Sequence, residues 1–347
     1  MADTSSKPKI LFFGSGAIGT IYVYLLLKAG CDVTAVCRSN YTAAKSNGFY
    51  IDSEVFGKGI HITPKVVRTV AEASESGPYD YLIVSCKAIP SAKTPQTIAP
   101  AVTPGHTTIV LIQNGIDIEP EYASAFPGNT LLTCIAYLPT TQTSPGHISM
   151  GNNERLEIGT YPGSESSKSA EKLISLLKSS GSNTTYHHHI QERRWYKLLL
   201  NAPWNPICAL TLSRDVAFLS SSEFSESIIR GVLDEVIALS QALGYTSITS
   251  EAANSGFNVI KDRVGKTVGI EPSMLVDILN GREMEHEVIL GNPVRKAKEL
   301  GVQVPRLEML YGLTKALDLA TQKRKQGRSL DGEDLGDMYK DFEGGSI

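Results

Sequence analysis

The chain has no apolar stretch near the ~20 residues that a membrane-spanning helix needs. Runs such as Ile109–Ile112 and Leu198–Leu200 are far too short. It also lacks a basic block, and its net charge is −3, so nothing in it suits a nucleic-acid backbone or an anionic membrane surface. Its cysteines, Cys31, Cys37, Cys86, Cys134 and Cys208, are odd in number and scattered through apolar segments. That excludes a disulfide framework and points to reduced, buried thiols. No Cys or His spacing suits zinc. His187-His188-His189 would point in different directions from a strand or a helix, so we expect a strand end or loop there and no metal. The start, Met1–Lys9, is polar and lacks the apolar core of a signal peptide, so a cytoplasmic protein is expected. There is no internal repeat.

At 347 residues, with 41% hydrophobic and 20% charged residues, the chain is long enough for two ordinary globular domains. Lys9–Phe13 is a continuously apolar run ending at Gly14, as in a buried parallel strand. Gly14-Ser15-Gly16-Ala17-Ile18-Gly19 follows, then a helix over Thr20–Ala29 closing at Gly30, then an apolar strand over Asp32–Cys37. A lone G-x-G-x-x-G is weak, but one set between a strand and a helix marks a dinucleotide-binding βαβ unit. Gly14 permits the tight turn, Gly16 lets the backbone approach a pyrophosphate, and Gly19 allows close helix packing. NAD enzymes place an acid at the end of the second strand to hold the ribose 2′-hydroxyl. Here that position reads Cys37-Arg38-Ser39-Asn40. Arg38 is either a solvated surface arginine or a grip on a 2′-phosphate through its planar fork. The missing acid favours NADPH.

Asp80–Ser85 and Thr107–Ile112 read as further buried strands, leading into Cys86-Lys87-Ala88 and Gln113-Asn114-Gly115. Ligands bind at the carboxyl ends of such strands, so Lys87 and Asn114 are candidate contacts to the nicotinamide end of the cofactor or to substrate; Asn114-Gly115 is read equally well as a plain turn. Gly48–Ile62 suggests an irregular insertion or hairpin. His147–Met150 and Arg155–Thr160 look like strands that finish the sheet. After Gln191 helical patterns succeed one another. This gives an α/β reading: a Rossmann-type parallel-sheet domain over residues 1–190, an all-helical domain over 191–322, and a charged, Gly-rich flexible tail over 323–347.

The helical half opens with Arg194-Trp-Tyr-Lys197-Leu-Leu-Leu-Asn201-Ala-Pro-Trp-Asn205-Pro206. Lys197 and Asn201 share a helix face one turn apart, among residues that should be buried. Taken by itself, the stretch is more simply a helix whose lysine snorkels to water. The sharper reading is a lysine held in a cleft to polarise a carbonyl. Pro203 should kink or end the helix before Asn205. A second polar cluster, Arg282-Glu-Met-Glu285-His-Glu287, reads as a solvated helix face or a partly buried one.

In order and spacing, the motifs from Gly14 to Gly19, Ser85-Cys-Lys87-Ala88, Gln113-Asn-Gly115, Trp195–Pro206, Ser273–Asp277 and Arg282–Glu285 resemble the ketopantoate reductase (2-dehydropantoate 2-reductase) family. The resemblance implies a Rossmann domain and a helical domain with the active site between them, and NADPH as cofactor. It implies Lys197 as catalytic lysine and Glu285 as active-site carboxylate. Asn201, Asn205 and Ser273 become substrate contacts, Lys87 and Asn114 line the cofactor cleft, and Arg38 meets the 2′-phosphate. A carboxylate close to Lys197 would keep it charged despite burial. The expected reaction reduces a small 2-oxo acid, most simply ketopantoate. The alternatives are another ketone or imine on the same fold, or a cofactor-binding protein without turnover. A homodimer through the apolar-rich helical half is the expected assembly.

Overall fold

In the computed structural model the described residues are 7–163 and 165–323. The strands, in chain order, are β1 (Lys9–Phe13), β2 (Asp32–Val36), β3 (Phe49–Ser53), β4 (Gly57–Ile62), β5 (Lys65–Val67), β6 (Tyr81–Val84), β7 (Thr108–Ile112), β8 (Leu131–Tyr137), β9 (Thr140–Ser144), β10 (His147–Met150), β11 (Arg155–Tyr161) and β12 (Thr184–Tyr186). Around them lie α1 (Ala17–Lys28), α2 (Tyr41–Asn47), α3 (Val70–Ser74), α4 (Thr94–Ile98), α5 (Pro120–Ala125) and α6 (Lys168–Ser179). Then come α7 (Ile190–Thr211), α8 (Asp215–Leu219), α9 (Ser225–Ala242), α10 (Ser250–Lys261), α11 (Ser273–Leu279), a wide π-type turn over Glu287–Gly291, α12 (Asn292–Leu300) and α13 (Pro305–Lys323). The flexible tail expected from residue 323 lies, beyond that residue, outside the described part. No described helix is long and apolar enough to cross a membrane.

The main sheet has the order β12-β11-β8-β7-β6-β1-β2-β5. Strands β5, β2, β1, β6, β7 and β8 are mutually parallel, and β11 runs antiparallel to β8. The central strands are buried on both faces, which is why they read as unbroken apolar runs. All of the parallel strands therefore present their carboxyl ends on one edge. One expectation needs correction. β11 does join this sheet, with β12 beyond it at the edge, but β10 does not: it pairs with β3 and β9 in a second sheet of order β4-β3-β10-β9. The hairpin of β3 and β4 is the expected insertion. The alternating burial of β10 suits a small sheet with one face on the core, and this sheet lies against α1.

From Ile190 onward the described residues are helical or loop, and α7 is the axis of that half. It contacts α9, α11, α13, β8 and β11. Pro203 is expected to kink or end the helix, and it does not end it: α7 runs through both Pro203 and Pro206. Each proline removes one backbone donor at an intrinsic cost of about 3 kcal/mol. Burial outweighs that here, since Ala202–Ala209 are buried without exception. The helix is a creature of its packing rather than of propensity.

Near its start α7 is anchored to the sheet edge by Arg194. The guanidinium is 4% exposed and faces Glu119, 1% exposed, at 2.7 Å. It also donates to the carbonyls of Gln113 and Gly115 at 3.0 and 3.1 Å, and to the Thr133 hydroxyl. Burial pushes the Glu119 carboxyl up, but Arg194, Thr133 and Gln191 together hold it below the usual range. Removing one member of such a pair leaves an uncompensated buried charge. Arg194→Ala is expected to lower stability by about 3–5 kcal/mol in denaturant unfolding followed by circular dichroism; a loss under ~1 kcal/mol, the range of a surface ion pair, would contradict this placement.

Candidate active site

The glycine turn sits at the carboxyl end of β1. Gly14 has φ +102, and a Cβ there would lie 2.3 Å from the Cys86 backbone nitrogen, so only glycine fits. A Cβ on Gly16, in contrast, would meet nothing within 4 Å. α1 starts directly behind it, with no side-chain cap at Gly16 and no acid in its first turn. Free amides, helix dipole and open space together suit a pyrophosphate. Ser15 to Gly19 therefore fit a dinucleotide through backbone alone. Asn40 donates to the Ser15 carbonyl at 2.7 Å and so ties the corner after β2 to this turn. Arg38, on that corner, is exposed.

Across the edge, at the ends of β7 and β8, three groups from three distant segments converge. Lys197 on α7 donates from Nζ to Asn114 Oδ1 at 2.8 Å and to the Ala136 carbonyl at 2.7 Å. Asn114 Nδ2 reaches Glu285 Oε2 at 3.5 Å, and Glu285 Oε1 accepts from the Ala88 backbone N–H at 2.9 Å. A lysine can only donate and a carboxylate only accept, so the amide must present oxygen to Lys197 and nitrogen to Glu285. The carboxylate thus meets the lysine through Asn114. Two of the three ammonium protons are engaged, which leaves one for a ligand.

Burial shapes both end groups. It pulls Lys197 down to about 8, with the Arg194 cation adding to the effect and Glu285 and Glu157 opposing it. Glu285 pulls against that drop, in the direction expected of a carboxylate near the lysine, and burial outweighs it. Glu285, 7% exposed, is raised chiefly by burial, against the pull of the Ala88 N–H, Lys87 and Asn114. The Tyr137 ring lies 5.4 Å from Lys197 Nζ, so the ammonium has an aromatic wall on one side.

The remaining predicted residues separate into two groups. Asn201 is buried one turn beyond Lys197 and lines, with Asn114, Gly115 and Lys197, a small cavity. Asn205, also buried, accepts at Oδ1 from the Ser273 hydroxyl at 2.9 Å and from the Met274 N–H at 3.2 Å. It holds the start of α11 and ties Ser273 to α7. Lys87, expected at the cofactor cleft, has its ammonium paired with Asp277 at 2.8 Å and donates to the Glu283 carbonyl. Burial pushes Asp277 up, against the pull of Lys87. The reading of the sequence missed Asp277 and the Arg194–Glu119 pair. The signals were an acid one helical turn after Ser273, and an acid in the apolar Ile116–Ile118 neighbourhood. Among the described residues no cluster of three or more His, Cys, Asp or Glu is placed to hold a metal ion.

Sequence comparison closes the question of kinship. The profile of ketopantoate reductase PanE/ApbA matches residues 10–163, and that of its C-terminal domain matches residues 189–318. The chain belongs to the ketopantoate reductase family. An uncharacterised Saccharomyces cerevisiae protein is 30% identical to this family member over 91% of the chain and 95% of its own length. The crystal structure of 2-dehydropantoate 2-reductase from Methylococcus capsulatus is 35% identical, with TM-score 0.79 over 92% of this chain and 100% of that one. The ternary structure of D-mandelate dehydrogenase with NADH and anilino(oxo)acetate shares the fold, with TM-score 0.78 at 21% identity over 91% and 100%. This member of the ketopantoate reductase family is accordingly a nicotinamide-dependent oxidoreductase.

A lysine that titrates at about 8 and donates the proton leaves its mark on the rate. If Lys197 gives the proton in reduction, kcat is expected to fall tenfold per pH unit above about 8 as the lysine deprotonates. Lys197→Arg, which does not titrate there, should be slower but flat over the same range. A native profile flat to pH 10 would contradict this assignment.

Proposed function

We propose that the chain reduces the ketone of a small 2-oxo acid with NADPH, most simply 2-dehydropantoate to pantoate on the route to pantothenate. The observation that carries this reading is the Lys197–Asn114–Glu285 arrangement at the carboxyl edge of the sheet, facing the glycine turn. NADPH, when bound, supplies the hydride. As the ketone oxygen gains charge, the free N–H of Lys197 lies ready to stabilise it and then to protonate it. Asn114 keeps that ammonium in place. Asn201 suits a substrate hydroxyl, because an amide donates and accepts. Ser273, held by Asn205, suits the substrate carboxylate. Arg38 is the proposed grip on the 2′-phosphate. Five free cysteines and an apolar-rich helical half support a cytoplasmic homodimer within the same reading.

A second reading keeps the chemistry and exchanges the acid for a bulkier one. The Tyr137 ring beside Lys197 favours it, since an aromatic wall would pack against a larger side group.

The test is steady-state oxidation of NADPH with ketopantoate, then with aromatic and branched 2-oxo acids. Lys197→Ala should lower kcat by roughly two to four powers of ten while NADPH binding hardly changes. Glu285→Ala should damage both kcat and KM. Turnover of none of these acids, or near-native kcat in Lys197→Ala, would refute the proposal.

A further inference from the structure

The corner after β2 has a neighbour that the glycine motif does not announce. β5 pairs in parallel with β2, Val67 opposite Val36, and the Cys37 N–H donates to the Val67 carbonyl at 3.0 Å. Arg68, the residue leaving β5, therefore comes out beside the Cys37–Arg38 corner. There the chain turns tightly, with the Tyr41 N–H on the Arg38 carbonyl at 3.3 Å. The Arg68 guanidinium lies over the Tyr41 ring, 5.2 Å from its centroid. It is thus directed at the corner and not along the outer edge of the sheet.

Among the described residues no acid pairs with either arginine, and both are exposed. Glu72, the nearest acid in sequence, is held by other groups: its carboxylate accepts from the Arg68 backbone N–H at 3.2 Å and the Thr69 hydroxyl at 3.3 Å. The same corner is tied to the glycine turn through Asn40 and the Ser15 carbonyl. Two guanidinium groups without an ion-pair partner thus stand beside the position where a Rossmann fold meets the adenosine ribose, that of Arg68 held over the Tyr41 ring.

We propose that Arg68 is a second holder of the 2′-phosphate of NADPH, gripping it from the β5 side while Arg38 grips it from the β2 side. This rests on the reading that NADPH is the cofactor. Two planar forks can share the oxygens of one dianion. The stack on Tyr41 restricts the Arg68 side chain before the ligand arrives, which lowers the ordering cost of binding. A 2′-hydroxyl offers these cations no charge, so NADH gains nothing from either.

The test is equilibrium titration of the full-length protein with NADPH, NADH and adenosine 2′,5′-bisphosphate, by cofactor fluorescence and calorimetry. Arg68→Ala should weaken NADPH and the bisphosphate roughly ten- to hundredfold, as expected for one charge-assisted contact, and change NADH by less than about twofold. Arg68→Lys should fall between, because it keeps charge but loses the fork. Loss of NADPH and NADH affinity in parallel would show that Arg68 only props the Tyr41 turn and would overturn the proposal, as would unchanged NADPH binding. If Arg38→Ala removes the preference for the 2′-phosphate and Arg68→Ala does not, NADPH stands and the role of Arg68 falls. If the native protein binds NADH as tightly as NADPH, both fall.

Discussion

The site depends on holding one ammonium group in a place that disfavours it. Lys197 sits on a helix that packing forces through two prolines, and burial lowers its proton affinity to about 8. An isolated buried charge would be expelled or neutralised. Here the Asn114 oxygen and the Ala136 carbonyl each accept one of its protons, and Glu285 acts at one remove through the same amide. The result is a cation that is present at neutral pH and ready to give up its proton. Arg194, three residues earlier on the same helix, is buried in the opposite manner, fully paired with Glu119. One cation fixes the helix to the sheet; the next meets two acceptors, Asn114 and the Ala136 carbonyl, with its third proton left over.

The two halves of the molecule make this site only together. The loop after β7 carries Asn114, and beyond it the Ile116 N–H donates to the Val288 carbonyl at 2.8 Å, while Asn292 donates to the Ile116 carbonyl at 2.6 Å. Gly115, at φ +98, lets that loop pass Val288 where a Cβ would lie 2.4 Å from the valine side chain. The Lys87–Asp277 pair and the Ala88–Glu285 bond join the loop after β6 to the same region. Glu285 precedes the wide turn at Glu287–Gly291, a geometry often met at functional sites. Its carboxylate is thus positioned by backbone and amide groups from the sheet domain.

Much of this was legible in the order of residues. The glycine turn could be read because its local requirements, a left-handed Gly14 and an uncapped helix, leave a local signature. The buried strands could be read because a parallel sheet needs continuous apolar runs. Lys197 and Asn201 could be placed on one face by helical spacing. Other features depend on partners far away in sequence. α7 continues past Pro203 because of what surrounds it, which local propensity does not report. β10 alternates like any half-buried strand, and nothing local says that it pairs with β3 and not with the main sheet. Lys87 stands at a strand end where ligands bind, and only the fold shows Asp277 opposite it. Asn114-Gly115 looks like a turn until Lys197 and Glu285 are found on either side of the amide.

The Asn114 bridge is the most direct point of test. In Asn114→Leu, of similar size, the ammonium loses an acceptor and Glu285 loses one of its donors. The measurement is single-turnover hydride transfer against pH in the native protein and in this variant. The account predicts a slower maximal rate and a basic limb moved below its native position near 8, because the charged lysine is less well supported. A limb that stays in place with a near-native rate would contradict it, and the lysine would then owe its charge to something other than this amide.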